Sequence, residues 1–91
     1  MKIEIAKKEI IHFIGIGGIG MSGLSLIMKS KGFKIQGSDI SNNKNIERLK
    51  KEKIKVFNSH SKKNLKHATI AVISSAIKSN NPELIEARRK K

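Results

Sequence analysis

Cysteine, tryptophan and tyrosine are absent from this 91-residue sequence, and proline occurs once, at Pro82. Without thiols there is neither a disulfide framework nor a thiolate zinc site, a usage that fits an intracellular protein. Three phenylalanines are the only aromatic residues, so aliphatic side chains, chiefly Ile, must fill the core, and bases would find little to stack on. No uninterrupted apolar run approaches the ~20 residues of a membrane span, and the charged N-terminus does not read as a signal peptide. Acidic residues are scarce, 7 against 20 Lys plus Arg, giving a formal net charge of +13. That excess would attract a polyanion. The lysines are nevertheless spread over every expected helix and loop, which argues for a solvated surface and against a nucleic-acid partner. Paired carboxylates, a nucleophile elbow and the G-x-x-x-x-G-K-[ST] phosphate loop are missing too, and His12, His60 and His67 lack metal-site spacing. These absences leave a binding site without a catalytic centre.

What is present is organised around residues 11–23, an apolar run that breaks into glycines and resumes with helical periodicity. Gly15, Gly17 and Gly20 satisfy G-x-G-x-x-G between an expected strand and an expected helix, the context in which that spacing holds a diphosphate. Gly15 is expected to allow the sharp exit from the strand. Gly17 and Gly18 are expected to let backbone N–H groups meet an anion, and Gly20 to let the helix pack close to the sheet.

The spacing predicts strands over residues 10–14, 33–37, 54–57 and 69–73. Helices are predicted over 19–31, over 44–52 and from Asn81-Pro82-Glu83 to the end, with at most one helical turn near Leu65. Residues 1–9 read as a lead-in or an edge extension. In the first helix Ile19, Leu24, Ile27 and Met28 are expected to share the inward face. The third strand is expected near an edge, and the fourth, Thr69-Ile70-Ala71-Val72-Ile73, to be central and buried. Alternation of strands and helices makes this an α/β protein, a Rossmann-like doubly wound, mostly parallel sheet with flanking helices. The last helix runs out without the strand it would feed, which reads as an excised domain.

Asp39 ends the second strand 24 residues after Gly15, where a carboxylate can accept from a ribose hydroxyl or a base N–H, or serve only as a cap. Ser74 and Ser75 end the fourth strand on the ligand-binding edge, where they can reach phosphate or ribose oxygens or merely cap the turn. His60 can rim the same cleft. His12, inside a strand, reads as a packed, hydrogen-bonded side chain. On these residues alone an NAD-binding domain of a dehydrogenase or regulatory sensor fits as well as a uridine-nucleotide site, and a basic nucleic-acid module is the third reading.

Residues 12–23 (HFIGIGGIGMSG), followed by Gly37-Ser38-Asp39, Ser74-Ser75-Ala76-Ile77 and Asn81-Pro82-Glu83, resemble the N-terminal domain of the Mur ligases over essentially the whole chain. The resemblance is closest to the members that add L-alanine to UDP-N-acetylmuramate. It implies a cytoplasmic peptidoglycan enzyme in which ATP and magnesium activate the substrate carboxylate as an acyl phosphate. Residues 1–91 would form its UDP-sugar-binding domain, inactive alone, with the remaining domains of the same ligase as partners and no membrane. Carried over, Gly15, Gly17, Gly18, Ile19 and Gly20 would surround the diphosphate, with Met21 and Ser22 beside them. Asp39 with Ser38 would hold the uridine, and Ser74 and Ser75 would line the far side. The family often has Gly where this chain has Ser59 before His60, which bears on the shape of that loop.

Overall fold

A computed structural model describes residues 8–90, so most of the lead-in expected over residues 1–9 lies outside the described residues. Four parallel strands, β1 (Ile10–Ile14), β2 (Lys34–Ser38), β3 (Lys55–Phe57) and β4 (Ile70–Ile73), form one sheet in the order β3-β2-β1-β4. Helices α1 (Ile19–Ser30), α2 (Lys44–Lys51) and α3 (Pro82–Lys90) alternate with them, and a 3₁₀ turn at Lys62–Leu65 precedes β4. The α/β class and the element order follow the sequence pattern, with boundaries shifted by one or two residues.

β1 is central and its side chains from Ile11 to Ile14 are buried. Ile11 and Phe13 share a core with Ile16, Ile46, Leu49 and Ile54, while His12 lies on the opposite face of the strand. In the parallel register Ile14 lies beside both Ser38 and Ile73, and Ser38 beside Phe57. The chain therefore leaves all four strands at one edge, bringing Gly15, Asp39, Asn58 and Ser74 together.

Three expectations are corrected. β4 is not central among the described strands: it pairs with β1 alone, so its residues are only half-buried and Ile73 is exposed. The inward face of α1 is not the Ile19, Leu24, Ile27 stripe, all three of which are exposed. Ser22 and Ser25 are its buried residues instead, with Met21, Leu26 and Met28 packed against the core. The serine hydroxyls need no outside partner because they donate to the carbonyls of Ile19 (3.2 Å) and Ser22 (2.8 Å) three residues back. Small side chains satisfied in this way occupy little space between helix and sheet, which apolar periodicity does not register.

The third correction concerns close packing. A Cβ on Gly20 would meet nothing within 4 Å, whereas one on Gly37 in β2 would lie 2.6 Å from Ile16 Cβ and 2.8 Å from the Phe13 carbonyl oxygen. The glycine that admits the loop against the sheet is thus in the second strand. Gly37→Ala is expected to cost about 1–3 kcal/mol through overpacking, and Gly20→Ala to cost nothing, as read from urea unfolding midpoints.

Candidate functional site

The strand ends build a pocket of about 660 Å³. Of the residues expected at a ligand site, Gly15, Gly17, Gly18, Asp39, His60 and Ser74 line it. Ile19, Gly20, Met21, Ser22, Ser38 and Ser75 do not. Ile40, Ser41, Asn43, Ile77, Lys78 and Asn80 to Pro82 line it without having been picked out as site residues. Asn81 and Pro82 carried a visible signal as a helix start. Lys78 carried none, being one lysine among many. A second pocket of about 260 Å³, between β4 and α3, is lined mainly by aliphatic groups and has no convergent polar cluster.

Gly15 has φ +83°, the left-handed turn that ends β1, and its N–H and that of Ile16 donate to the Ser38 carbonyl at 2.8 and 3.0 Å. Gly17 is held from three sides. Its N–H donates to Asp39 Oδ2 (2.8 Å), its carbonyl accepts from Asn45 Nδ2 (3.0 Å), and a Cβ there would meet both Asp39 Oδ2 and Ile46 Cδ1 at 2.8 Å. The Gly18 N–H closes the turn on the Gly15 carbonyl at 3.3 Å. Two amides expected to face an anion are therefore used within the loop.

The donors that remain belong to the first turn of α1. Its N-cap is Gly18, with no side-chain cap and no acid in the first turn. By contrast, Asn43 caps α2 by accepting from the Ile46 N–H, and Asn81 caps α3 by accepting from the Glu83 and Leu84 N–H groups; each of those helices also has a glutamate in its first turn. The opening amides of a helix have no intrahelical acceptor. At α1 they are left, with the positive end of the helix dipole, for an external anion.

Asp39 also accepts from the Ser41 N–H at 2.8 Å through Oδ1, so its carboxylate joins the glycine loop to the turn before α2. The Ser74 hydroxyl accepts from the Ala76 N–H at 3.2 Å, which makes it a turn cap as well as a pocket wall. Ser75 is exposed.

Ser38 is wholly buried beneath the pocket. Its hydroxyl lies 2.5 Å from Glu83 Oε1 and 2.9 Å from His60 Nδ1. Glu83, equally buried, also accepts from His12 Nε2 (2.6 Å), Asn64 Nδ2 (2.6 Å) and the Ser61 N–H (3.0 Å). Gln36 Nε2 donates to both the Asn64 carbonyl and His12 Nδ1, each at 2.8 Å, fixing the His12 proton on Nε2. His12 is thus the packed, hydrogen-bonded residue expected. Glu83 is the residue the sequence hid, since an acid after Asn-Pro at a helix start is explained by the helix dipole alone.

Burial pushes the Glu83 carboxyl up, but the hydrogen bonds from His12, Ser38, Asn64 and Ser61 outweigh it and bring the pKa from 4.5 to about 2. Because the folded-state value is depressed, the stabilisation is complete above pH 4.5 and is lost as pH falls from there toward 2. It amounts to roughly 3 kcal/mol. Urea unfolding from neutral pH to about pH 2.5 is expected to show this loss in the native chain and not in Glu83→Gln, whose side chain does not ionise.

The "Mur ligase family, catalytic domain" model matches residues 10–91. The chain is 74% identical over 90 residues to a UDP-N-acetylmuramate–L-alanine ligase of Pelagibacter ubique, covering 99% of this chain and 19% of that protein. It is 52% identical over 81 residues to the ligase of that name from Brucella ovis, covering 89% and 17%. Among solved structures, the UDP-N-acetylmuramate–alanine ligase of Thermotoga maritima superposes with a TM-score of 0.83 at 38% identity, over 88% of this chain and 19% of that one. The chain thus spans about a fifth of the length of the curated relatives it matches. With the family model covering nearly every described residue and the glycine loop, parallel sheet and strand-end pocket in place, the chain belongs to the Mur ligase family.

Proposed function

We propose that residues 1–91 form the UDP-binding part of a longer, ATP-dependent ligase that joins L-alanine to UDP-N-acetylmuramate in cytoplasmic peptidoglycan synthesis. The observation that carries the reading is the uncapped, acid-free start of α1 beside the strand-end pocket, in a chain of this family. Family membership favours a UDP-sugar over NAD, since the glycine loop and Asp39 serve either ligand. No helix among the described residues is long and apolar enough to cross a membrane.

In this reading the amides of Ile19, Gly20 and Met21 meet the diphosphate, with Gly15, Gly17 and Gly18 shaping the approach and Ser22 closing the first turn. Lys78 supplies a positive charge on the pocket wall. Asp39, already oriented by two backbone donors, retains lone pairs for a ribose hydroxyl or a base N–H. Ser74 and Ser75 stand on the far side, and Ser38 acts from below through its neighbours. No step through ATP or magnesium is assigned to these residues. That chemistry would fall to the remaining domains.

Adding UDP-N-acetylmuramate to the ¹⁵N-labelled chain is expected to shift the amide signals of Gly15 to Ser22, with NADH producing no such change; the opposite pattern would favour the dehydrogenase reading. Asp39→Ala is expected to weaken UDP binding about ten-fold through loss of a charged acceptor. Lys78→Ala should lower affinity for UDP several-fold while leaving uridine unaffected, because only the former carries phosphate. Equal losses for both ligands in calorimetric titrations would remove Lys78 from the diphosphate subsite.

A further inference from the structure

His60 stands at the pocket rim, its side chain 15% exposed, with Nδ1 2.9 Å from the Ser38 hydroxyl oxygen. Which of the two donates is decided by Glu83. That carboxylate faces four donors, His12 Nε2, Ser38 Oγ, Asn64 Nδ2 and the Ser61 N–H, so it is ionised and only accepts. The single Ser38 proton therefore goes to Glu83, and the imidazole must donate to Ser38 through Nδ1–H. In the neutral ring Nε2 is then bare, the reverse of the form that histidine favours in water. No buried side-chain nitrogen or oxygen among the described residues lacks a hydrogen-bond partner. His60 Nε2 has no protein partner there, so it is a solvent-accessible atom on a residue that lines the pocket.

We propose that Ser38 and Glu83 form a positioning relay that locks His60 in the Nδ1–H form and presents its bare Nε2 to the pocket as an acceptor for an N–H or O–H of a nucleoside. The nucleoside as partner rests on the nucleotide reading above; the relay itself rests on the hydrogen bonds alone. Neither Ser38 nor Glu83 touches the ligand. Ser38 transmits the constraint in two directions, its hydroxyl to His60 and its carbonyl to the amides of Gly15 and Ile16. The two faces of the pocket are thereby tied to one buried carboxylate.

Long-range ¹H–¹⁵N spectra of the labelled chain at about pH 8.5, above the ordinary histidine range, read the tautomer directly. The expected result is His60 protonated on Nδ1 and bare on Nε2, with the Nε2–H form gaining in Ser38→Ala, where only Glu83 Oε2, 3.7 Å from Nδ1, still faces that side of the ring. Titration with UDP, N3-methyl-UDP and 2′,3′-dideoxy-UDP then identifies the donor. One of the two analogues should bind the native chain about ten-fold more weakly than UDP, and no more weakly than UDP in Ser38→Ala. A loss that shrinks in Ser38→Ala assigns the His60 donor, the base if it is seen with the methyl analogue and the ribose if with the dideoxy analogue, whereas a loss that persists there belongs to Asp39. An Nε2–H form of His60 in the native chain would overturn the relay even if Ser38→Ala did not fold. Both analogues binding as UDP does would overturn the acceptor role, and an Nδ1–H form with no UDP binding would keep the relay and defeat the nucleotide reading.

Discussion

A carboxylate with no solvent access has to find its donors inside the protein, and Glu83 draws four of them from three separate parts of the chain. His12 comes from β1, Ser38 from β2, and Ser61 and Asn64 from the 3₁₀ turn and its approach, while Glu83 itself opens α3. An uncompensated charge at that depth would cost several kcal/mol, so the ion is tolerated because donors from several elements converge on it. The consequence is a fixed spatial relation between the central strands and the loop that enters α3. The segment from Ser74 to Pro82, which forms one wall of the pocket, is anchored at its far end by this ion.

The opposite wall is set by a second carboxylate with a different character. Asp39 is partly open to the pocket and holds the glycine loop through Gly17 while also holding the turn before α2 through Ser41. It thereby consumes an amide that the glycine fingerprint alone would assign to a phosphate. What is left for an anion is the start of α1, where a side-chain cap is missing, although α2 and α3 each have one. The two acids divide the work. One is sealed below the strand ends and sets the frame, and the other stands at the surface of the site and shapes the loop.

The buried face of α1 shows why apolar periodicity misleads in a chain like this one. Serines at 22 and 25 that bond their own helix behave as small, satisfied groups and can face the sheet, which releases Ile19, Leu24 and Ile27 to the exterior. The same limitation hid Gly37, because the need for a missing Cβ arises from Ile16 and the Phe13 carbonyl, contacts across β1 and β2 that no local window contains.

The sequence by itself determined the α/β class, the order of elements, the strand-to-helix glycine turn and the helix start at Asn81, since each depends on residues within a few positions of one another. It also brought out Gly15, Asp39, Ser74 and His60, because strands leaving a parallel sheet at one edge must gather whatever follows them. Only the tertiary structure decided what those residues touch. That Ser38 lies beneath the pocket, that Glu83 is an internal ion as well as a helix-start acid, and that Lys78 faces the cleft all follow from contacts between segments 22 to 71 residues apart or from the path of a loop. Hydrogen-bond partners of that kind are fixed by packing, and packing is not written in any local spacing.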